Sequence, residues 1–134
     1  MFAHEIIKRL SQNGYIKNGV SAYDYKPAIF PYYAPTKVSK PYILFTTESY
    51  DIKTRGETRI LVISYVNNEL TNEEGRRMAE EIVNSIDNQV LESDTDGMIR
   101  IYLSGNPEIV ISGEDSFVRV KFILRGDIKL WGIV

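Results

Sequence analysis

The residue types that carry most enzyme catalysis are few and scattered in this sequence. His4 is the only histidine and cysteine is absent, so a thiol nucleophile is excluded and any histidine-dependent chemistry rests on one side chain. No serine, aspartate or second histidine stands near His4 at a spacing that would form a triad or a metal site. We therefore expect His4 at a solvent-facing helix position, and we assign no catalytic, cofactor-binding or metal-ligating residue.

The segment 92–97 (ESDTDG) resembles the opening of a calcium-binding loop, because oxygen-bearing side chains alternate along it before a glycine. The match then fails. Leu103 occupies the position of the bidentate glutamate that completes such a site, and a strand pattern begins at Met98. We interpret the segment as a solvated acidic turn.

Glycine-containing motifs also have a structural interpretation. Arg125-Gly126-Asp127 matches a cell-adhesion tripeptide, but Gly-Asp between Leu124 and Ile128 is equally typical of a hairpin turn, which is the interpretation we adopt. The other glycines are scattered at predicted turns and form neither GxGxxG nor GxxxxGK[ST]. The sequence therefore gives no support for nucleotide binding.

Basic residues alternate with apolar ones in two predicted strands and could gather on one face of a sheet. Arg100 stands between two isoleucines, and Arg119 and Lys121 alternate with valine and phenylalanine. The formal net charge is −2, from 16 Lys+Arg and 18 Asp+Glu, so no overall positive field attracts nucleic acid. Either the three residues are a solvated sheet face, or they make weak, non-specific contact with the phosphates of DNA.

Aromatic residues and prolines crowd the stretch 23–42 (YDYKPAIFPYYAPTKVSKPY). Prolines at 27, 31, 35 and 41 remove backbone donors and disfavour helix, so we expect a long irregular or extended segment. A loop of that length usually has a function, and aromatic residues are enriched at protein interfaces. The predicted interface residues, which include one from the short apolar C-terminal stretch, are Tyr25, Phe30, Tyr32, Tyr33 and Trp131.

The remaining periodicities define the elements that position these residues. Apolar residues recur at helical spacing over 2–12 and again over 71–87, where Thr71 and Glu74 have the spacing of a capping box. The predicted core includes Phe45, Val62, Ile82, Val83, Val120 and Phe122. Strands are predicted over 42–50 and 58–66 as a hairpin, and over 98–104, 108–112 and 116–125 as a three-stranded antiparallel group that follows an acidic loop.

Composition and element order together predict the fold class. With 134 residues, 43% of them hydrophobic and 25% charged, the chain is typical of one globular domain spanning 1–134. The element order predicts an α+β fold in which a mixed, mostly antiparallel sheet is packed on one face by helices. No secretion signal and no membrane-spanning run is expected, and the absence of cysteine fits the cytoplasm.

The order of elements resembles the tail-terminator, or tail-completion, proteins of long-tailed phages and related contractile particles. The resemblance lies in a short N-terminal helix, a tyrosine- and proline-rich approach, strands beginning KPYILF (40–45) and ILVISY (60–65), and the helix that follows. It implies a homo-oligomeric ring, typically of six copies, that caps the tail tube and meets the head connector. It also implies no enzymatic activity, assembly in the cytoplasm, and final residence in a virion or a phage-tail-like particle.

Two other classes of function stay open at the level of sequence. One is a small ligand-binding or enzymatic α+β domain whose site is assembled from distant residues by the fold. The other is a nucleic-acid-binding module that uses the basic strand face, although the net charge of −2 does not favour it.

Overall fold

The computed structural model describes residues 3–52, 56–93 and 97–126. Within these ranges three α-helices and nine strands follow one another, with a 3-10 turn over Gly113–Asp115. The helices are α1 (Ala3–Ser11), α2 (Gly14–Gly19) and α3 (Asn72–Ile86). The strands are β1 (Ala22–Tyr23), β2 (Lys26–Pro27), β3 (Ile29–Pro31), β4 (Tyr42–Ile52), β5 (Gly56–Val66), β6 (Val90–Ser93), β7 (Gly97–Leu103), β8 (Glu108–Val110) and β9 (Phe117–Gly126).

Seven of these strands form one mixed sheet in the order β3-β4-β5-β9-β7-β6, with β8 also paired to β9. Only the β3–β4 pair is parallel, so the sheet is mostly antiparallel. Strand β9 pairs along one side with β5, and along the other first with β8 and then with β7. The fold is α+β, as the sequence predicted.

The helices cover one face of this sheet, which we call the helix face. Residues that alternate along β5, β7 and β9 are buried there beneath α1, α2 and α3, because one face of a pleated strand carries every second side chain. Phe45, Ile82, Val120 and Phe122 are buried as predicted. The core residues that β5, β7 and β9 contribute are Leu61, Ile63, Tyr65, Ile99, Ile101, Val118, Val120, Phe122 and Leu124.

One residue of the predicted core is less buried than expected, and another is buried on the other face of the sheet. Val83 is only partly buried against the core, because it lies at the margin of the stripe that α3 turns towards the sheet. Val62 is buried as predicted, at 8% exposed, but it pairs with exposed Lys121 and therefore lies on the opposite face of the sheet, which we call the outer face.

The long helix α3 begins and packs as its sequence predicts. The Thr71 side chain accepts a hydrogen bond from the backbone N–H of Glu74 at 3.2 Å, and its hydroxyl lies 3.0 Å from Glu74 Oε1. Gly75 lies in the first turn, where an added Cβ would stand 2.8 Å from Cγ2 of Ile109. The missing side chain therefore allows α3 to approach β8 closely.

The N-terminal region contains a second helix, α2, which the sequence pattern does not predict. Asn13-Gly14 ends α1, but the Asn13 side chain also caps α2 by accepting from Ile16 N at 3.1 Å. Its amide Nδ2 donates to Glu81 Oε2 at 2.7 Å and to Ser85 Oγ at 3.1 Å. One asparagine thus starts α2 and connects it to α3.

The C-terminal half differs from the predicted arrangement in two respects. Residues 90–93, interpreted as part of an acidic loop, form strand β6 and pair with β7 from Val90↔Arg100 to Ser93↔Gly97. The three later strands do not form a simple series either, because β7 and β8 each pair with β9 and lie along the same side of it. Residues 94–96 of the predicted acidic turn lie outside the described residues. So does Asp127, the second residue of the predicted Gly126-Asp127 turn.

Candidate functional site

Three of the predicted interface tyrosines stand out from the protein surface. The exposed fraction is 102% for Tyr25, 79% for Tyr33 and 50% for Tyr32, which are high values for large, partly apolar side chains. We call these three residues the tyrosine surface. Phe30 is different, because it is partly buried and makes an edge-to-face contact with Tyr23 at 5.5 Å between ring centroids. Trp131 lies outside the described residues.

Tyr25 lies at the tip of a small hairpin. Strands β1 and β2 pair through Ala22↔Pro27 and Tyr23↔Lys26, which leaves Asp24 and Tyr25 as a two-residue turn. Their φ angles are 51° and 64°, so both have the left-handed backbone of a type I′ turn. Glycine is the usual second residue of such a turn. A tyrosine there is strained, and its side chain gains no contact that would compensate, because it is fully exposed.

Tyr32 shows the same combination of strain and exposure, with φ at 68°. Its position is fixed by backbone hydrogen bonds to the sheet: Tyr32 N donates to Phe45 O at 2.8 Å, and Tyr33 N donates to Pro31 O at 2.9 Å. Bulky residues rarely adopt positive φ unless the surrounding structure imposes it, and such residues concentrate at functional sites.

The segment that carries the tyrosine surface is tied down at several points. Ala28 N donates to Ser21 O at 2.9 Å, and Ile43 N donates to Ala28 O at 2.9 Å. The Ser21 hydroxyl donates to Pro41 O at 3.0 Å, close to the cis peptide bond between Lys40 and Pro41. The long segment is therefore an ordered platform, which reduces the entropy that its tyrosines would lose on binding.

The three predicted DNA-facing residues all lie on the outer face of the sheet. Lys121 and Arg100 are exposed, and the Arg119 side chain is 40% exposed. Arg100 pairs directly with Arg125 across β7 and β9, so two like charges stand opposite each other, an arrangement that costs stability. An anion bound between them would remove that cost.

The basic outer face also has apolar and acidic members. Arg119 lies 3.3 Å from Glu108 Oε1 and stacks over the Phe117 ring at 4.5 Å, so part of its charge is compensated. Ile60 pairs with Ile123, and Ile123 pairs with Tyr102, each partly exposed on the same face. The face is therefore a mixed surface rather than a strongly positive one.

A cavity of about 170 Å³ lies between α2, α3 and β5, lined in part by Tyr15, Tyr65 and Glu74. Burial raises the pKa of both tyrosines above the usual 10, and nearby Glu74 contributes in the same direction. Neutral phenols at physiological pH cannot act as general bases. The Tyr65 hydroxyl donates to Gly19 O at 2.8 Å and accepts from Asn67 Nδ2 at 3.0 Å, so it already has a structural role.

A larger groove of about 430 Å³ runs between α3 and the β7–β8 region. We call it the α3–β8 groove. One wall is a face of α3 with helical spacing, on which buried Ala79 and partly buried Val83 lie between charged residues. The helical period of the sequence predicts only core and solvent for this face and gives no sign of the groove. The lining residues are Arg76, Ala79, Glu80, Val83, Asn84, Leu103, Pro107 and Ile109.

His4 is exposed on α1. Among residues 3–52, 56–93 and 97–126, no cluster of three or more His, Cys, Asp or Glu side chains could hold a metal ion. Within the same ranges no helix is both long and apolar enough to cross a membrane.

No protein-family model matches the chain. No curated protein matches it in sequence either. The resemblance to tail terminators therefore stays a prediction drawn from the order of elements.

Proposed function

We propose that this chain is a structural assembly protein of the tail-terminator type, which forms a ring that caps a tail tube and joins it to a head connector. The observation that carries the proposal is the tyrosine surface. Its residues are exposed, they stand on an ordered platform, and two of them have a strained backbone. Tyrosine supplies large contact area at low entropic cost, which suits a protein-binding surface.

The surface fits protein better than a small ligand because it projects. Small-molecule sites are concave and bury most of their ligand, whereas Tyr25 is at the tip of a hairpin with its whole side chain in solvent. A projecting aromatic side chain is an anchor that enters a pocket on a partner. In a ring, each copy would supply such an anchor to its neighbour through a head-to-tail interface.

The outer face supplies a second element of the proposal. A ring through which a genome passes must tolerate a polyanion without holding it, and a face where Arg100, Arg119 and Lys121 are mixed with Glu108 meets that requirement. Contact with DNA would be weak, indifferent to sequence and sensitive to salt, because each phosphate contact releases a condensed counterion.

The test is the solution mass of the wild-type chain and of Tyr32→Ser/Tyr33→Ser, measured by sedimentation over a range of concentrations, with negative-stain imaging after tail tubes are added. We expect rings for the wild type and weaker association for the double variant. The matched control is Met98→Ser, which removes a side chain that is 58% exposed near the opposite end of the sheet. A wild type that stays monomeric at high concentration, with and without tubes, would refute the proposal.

A further inference from the structure

We propose that the α3–β8 groove receives residues 127–131 of a second copy of this chain, so that neighbouring subunits are joined by an exchanged C-terminal segment. The inference rests on the homo-oligomer of the proposed function. It identifies the contact that would join neighbouring subunits into a closed ring. The segment 127–134 (DIKLWGIV) follows β9 and lies outside the described residues. Five of its eight residues are apolar, so burial of the segment against another apolar surface would be favourable.

The lining of the groove suits a segment that is partly apolar and partly charged. Its floor and walls are apolar at Ala79, Val83, Leu103 and Ile109, with charged or polar side chains at the rim. Strand β8 borders it and pairs only with β9 among the described strands, so the other edge of β8 has backbone groups available to an added strand. Edge addition with side chains in an adjacent groove is an established mode of peptide recognition.

The charges of the groove and of the segment are complementary at matching spacing. Arg76 and Glu80 are one helical turn apart, about 6 Å along α3. Asp127 and Lys129 in an extended segment lie on one side of it, about 7 Å apart. A segment parallel to α3 therefore places Asp127 at Arg76 and Lys129 at Glu80.

The same alignment accounts for the apolar residues. Trp131, about 7 Å beyond Lys129 on the same side, would fall just past Val83, which lies about 4.5 Å beyond Glu80, and its large ring would still reach that side chain. In that alignment Ile128 and Leu130 would lie on the opposite side of the added strand from α3.

The donor is a second copy because β9 leads the chain away from the groove. Gly126 pairs with Ile99, whereas Leu103 at the groove pairs with Phe122, about 14 Å back along β9. A chain that docked in its own groove would have to reverse immediately after Gly126 and retrace that distance before Asp127 could reach α3. A neighbour in a head-to-tail ring has no such constraint, and repetition of the contact closes the ring.

Disulfide trapping tests the contact directly, because the natural chain contains no cysteine. The full-length variant Glu80→Cys/Lys129→Cys is oxidised and separated on a non-reducing gel. We expect a ladder of cross-linked species whose yield rises with protein concentration. The matched control is Lys121→Cys/Lys129→Cys, in which the first cysteine is exposed on the outer face, and there we expect no ladder. A ladder in the control alone, or a monomeric and concentration-independent cross-link in the first variant, overturns the inference.

Charge reversal provides the second test. Glu80→Lys and Lys129→Glu should each weaken association about tenfold, and the combined variant should recover most of the wild-type affinity. Rings of wild-type affinity in both single variants would overturn the groove contact and leave the ring intact. Cross-linked dimers without any ring would do the reverse, supporting the exchange while refuting the terminator-type assembly.

Discussion

Replacement of Tyr25 by glycine separates the stability of this fold from its proposed function. Tyr25 has φ at 64° in a type I′ turn and is fully exposed, so the folded chain bears the conformational cost of the residue without gaining a packing contact. We expect Tyr25→Gly to leave the fold as stable as the wild type or more so, and at the same time to weaken association.

The magnitude follows from two opposing terms. A non-glycine residue in the left-handed region costs about 1–2 kcal/mol, which glycine does not incur. Glycine has greater freedom in the unfolded chain, which returns about 0.5–1 kcal/mol of that gain. The net expectation is a free energy of unfolding unchanged or higher by up to about 1.5 kcal/mol.

The assay is urea denaturation of the monomer at low concentration, followed by sedimentation at high concentration, for wild type, Tyr25→Gly and Tyr25→Ala. Alanine removes the ring but keeps a Cβ at positive φ, so it should weaken association without the gain in stability. If Tyr25→Gly lowers the free energy of unfolding by more than about 0.5 kcal/mol, the aromatic side chain of Tyr25 stabilises the monomer and its positive φ is not a net cost. Unchanged association in both variants would remove Tyr25 from the interface.

Three further predictions concern the core, the N-terminal cap and the outer face. Phe122→Ala should lower the free energy of unfolding by about 3–5 kcal/mol in chemical denaturation, since the side chain is fully buried, while Lys121→Ala should cost under about 0.5 kcal/mol. Asn13→Ala should cost about 0.5–2 kcal/mol through the lost cap of α2. The hydrogen bond from Asn13, and secondly Arg77, lower the pKa of Glu81 below its usual 4.5. The difference in free energy of unfolding between wild type and Asn13→Ala should therefore be constant above about pH 4.5 and become smaller as the pH falls through the folded-state pKa. A difference that does not change with pH would contradict this account. Arg119→Gln/Lys121→Gln rings should retain less DNA at low salt and equal amounts at moderate salt, and tight or salt-indifferent retention would refute weak phosphate contact.

The parts of the fold that the sequence predicts are those whose signals are local. The period of α3, its Thr71–Glu74 cap and the β4–β5 hairpin each follow from residues within one window of the chain. The alternation in β9 likewise predicts which side chains face the core. Together these elements are sufficient for the α+β class.

The missed elements depend on information that no single window contains. Asn13-Gly14 is compatible with the end of one helix and the start of another, and the choice is made by the contact of Asn13 with Glu81 in α3. Residues 90–93 form a strand because β7 offers them an edge, although the acidic residues that follow favour a turn.

The candidate site divides in the same way. The aromatic residues and prolines of 23–42 were enough to predict an interface in that segment. The positive φ of Tyr25 and Tyr32 is visible only in the folded backbone. The α3–β8 groove could not be predicted, because its walls come from elements far apart in the sequence. The one local signal was Ala79 and Val83 on a helix stripe wider than the sheet covers.

The central place of β9 has a consequence for how the chain is made. It is the last described strand, and it alone joins the β4–β5 hairpin to the β6–β7 hairpin. Until β9 leaves the ribosome, both hairpins present unpaired edges and uncovered apolar faces, which are the features that lead nascent chains to aggregate. We therefore expect chains truncated before Phe117 to be chaperone-bound or insoluble, and the whole sheet to fold only after β9 has emerged from the ribosome.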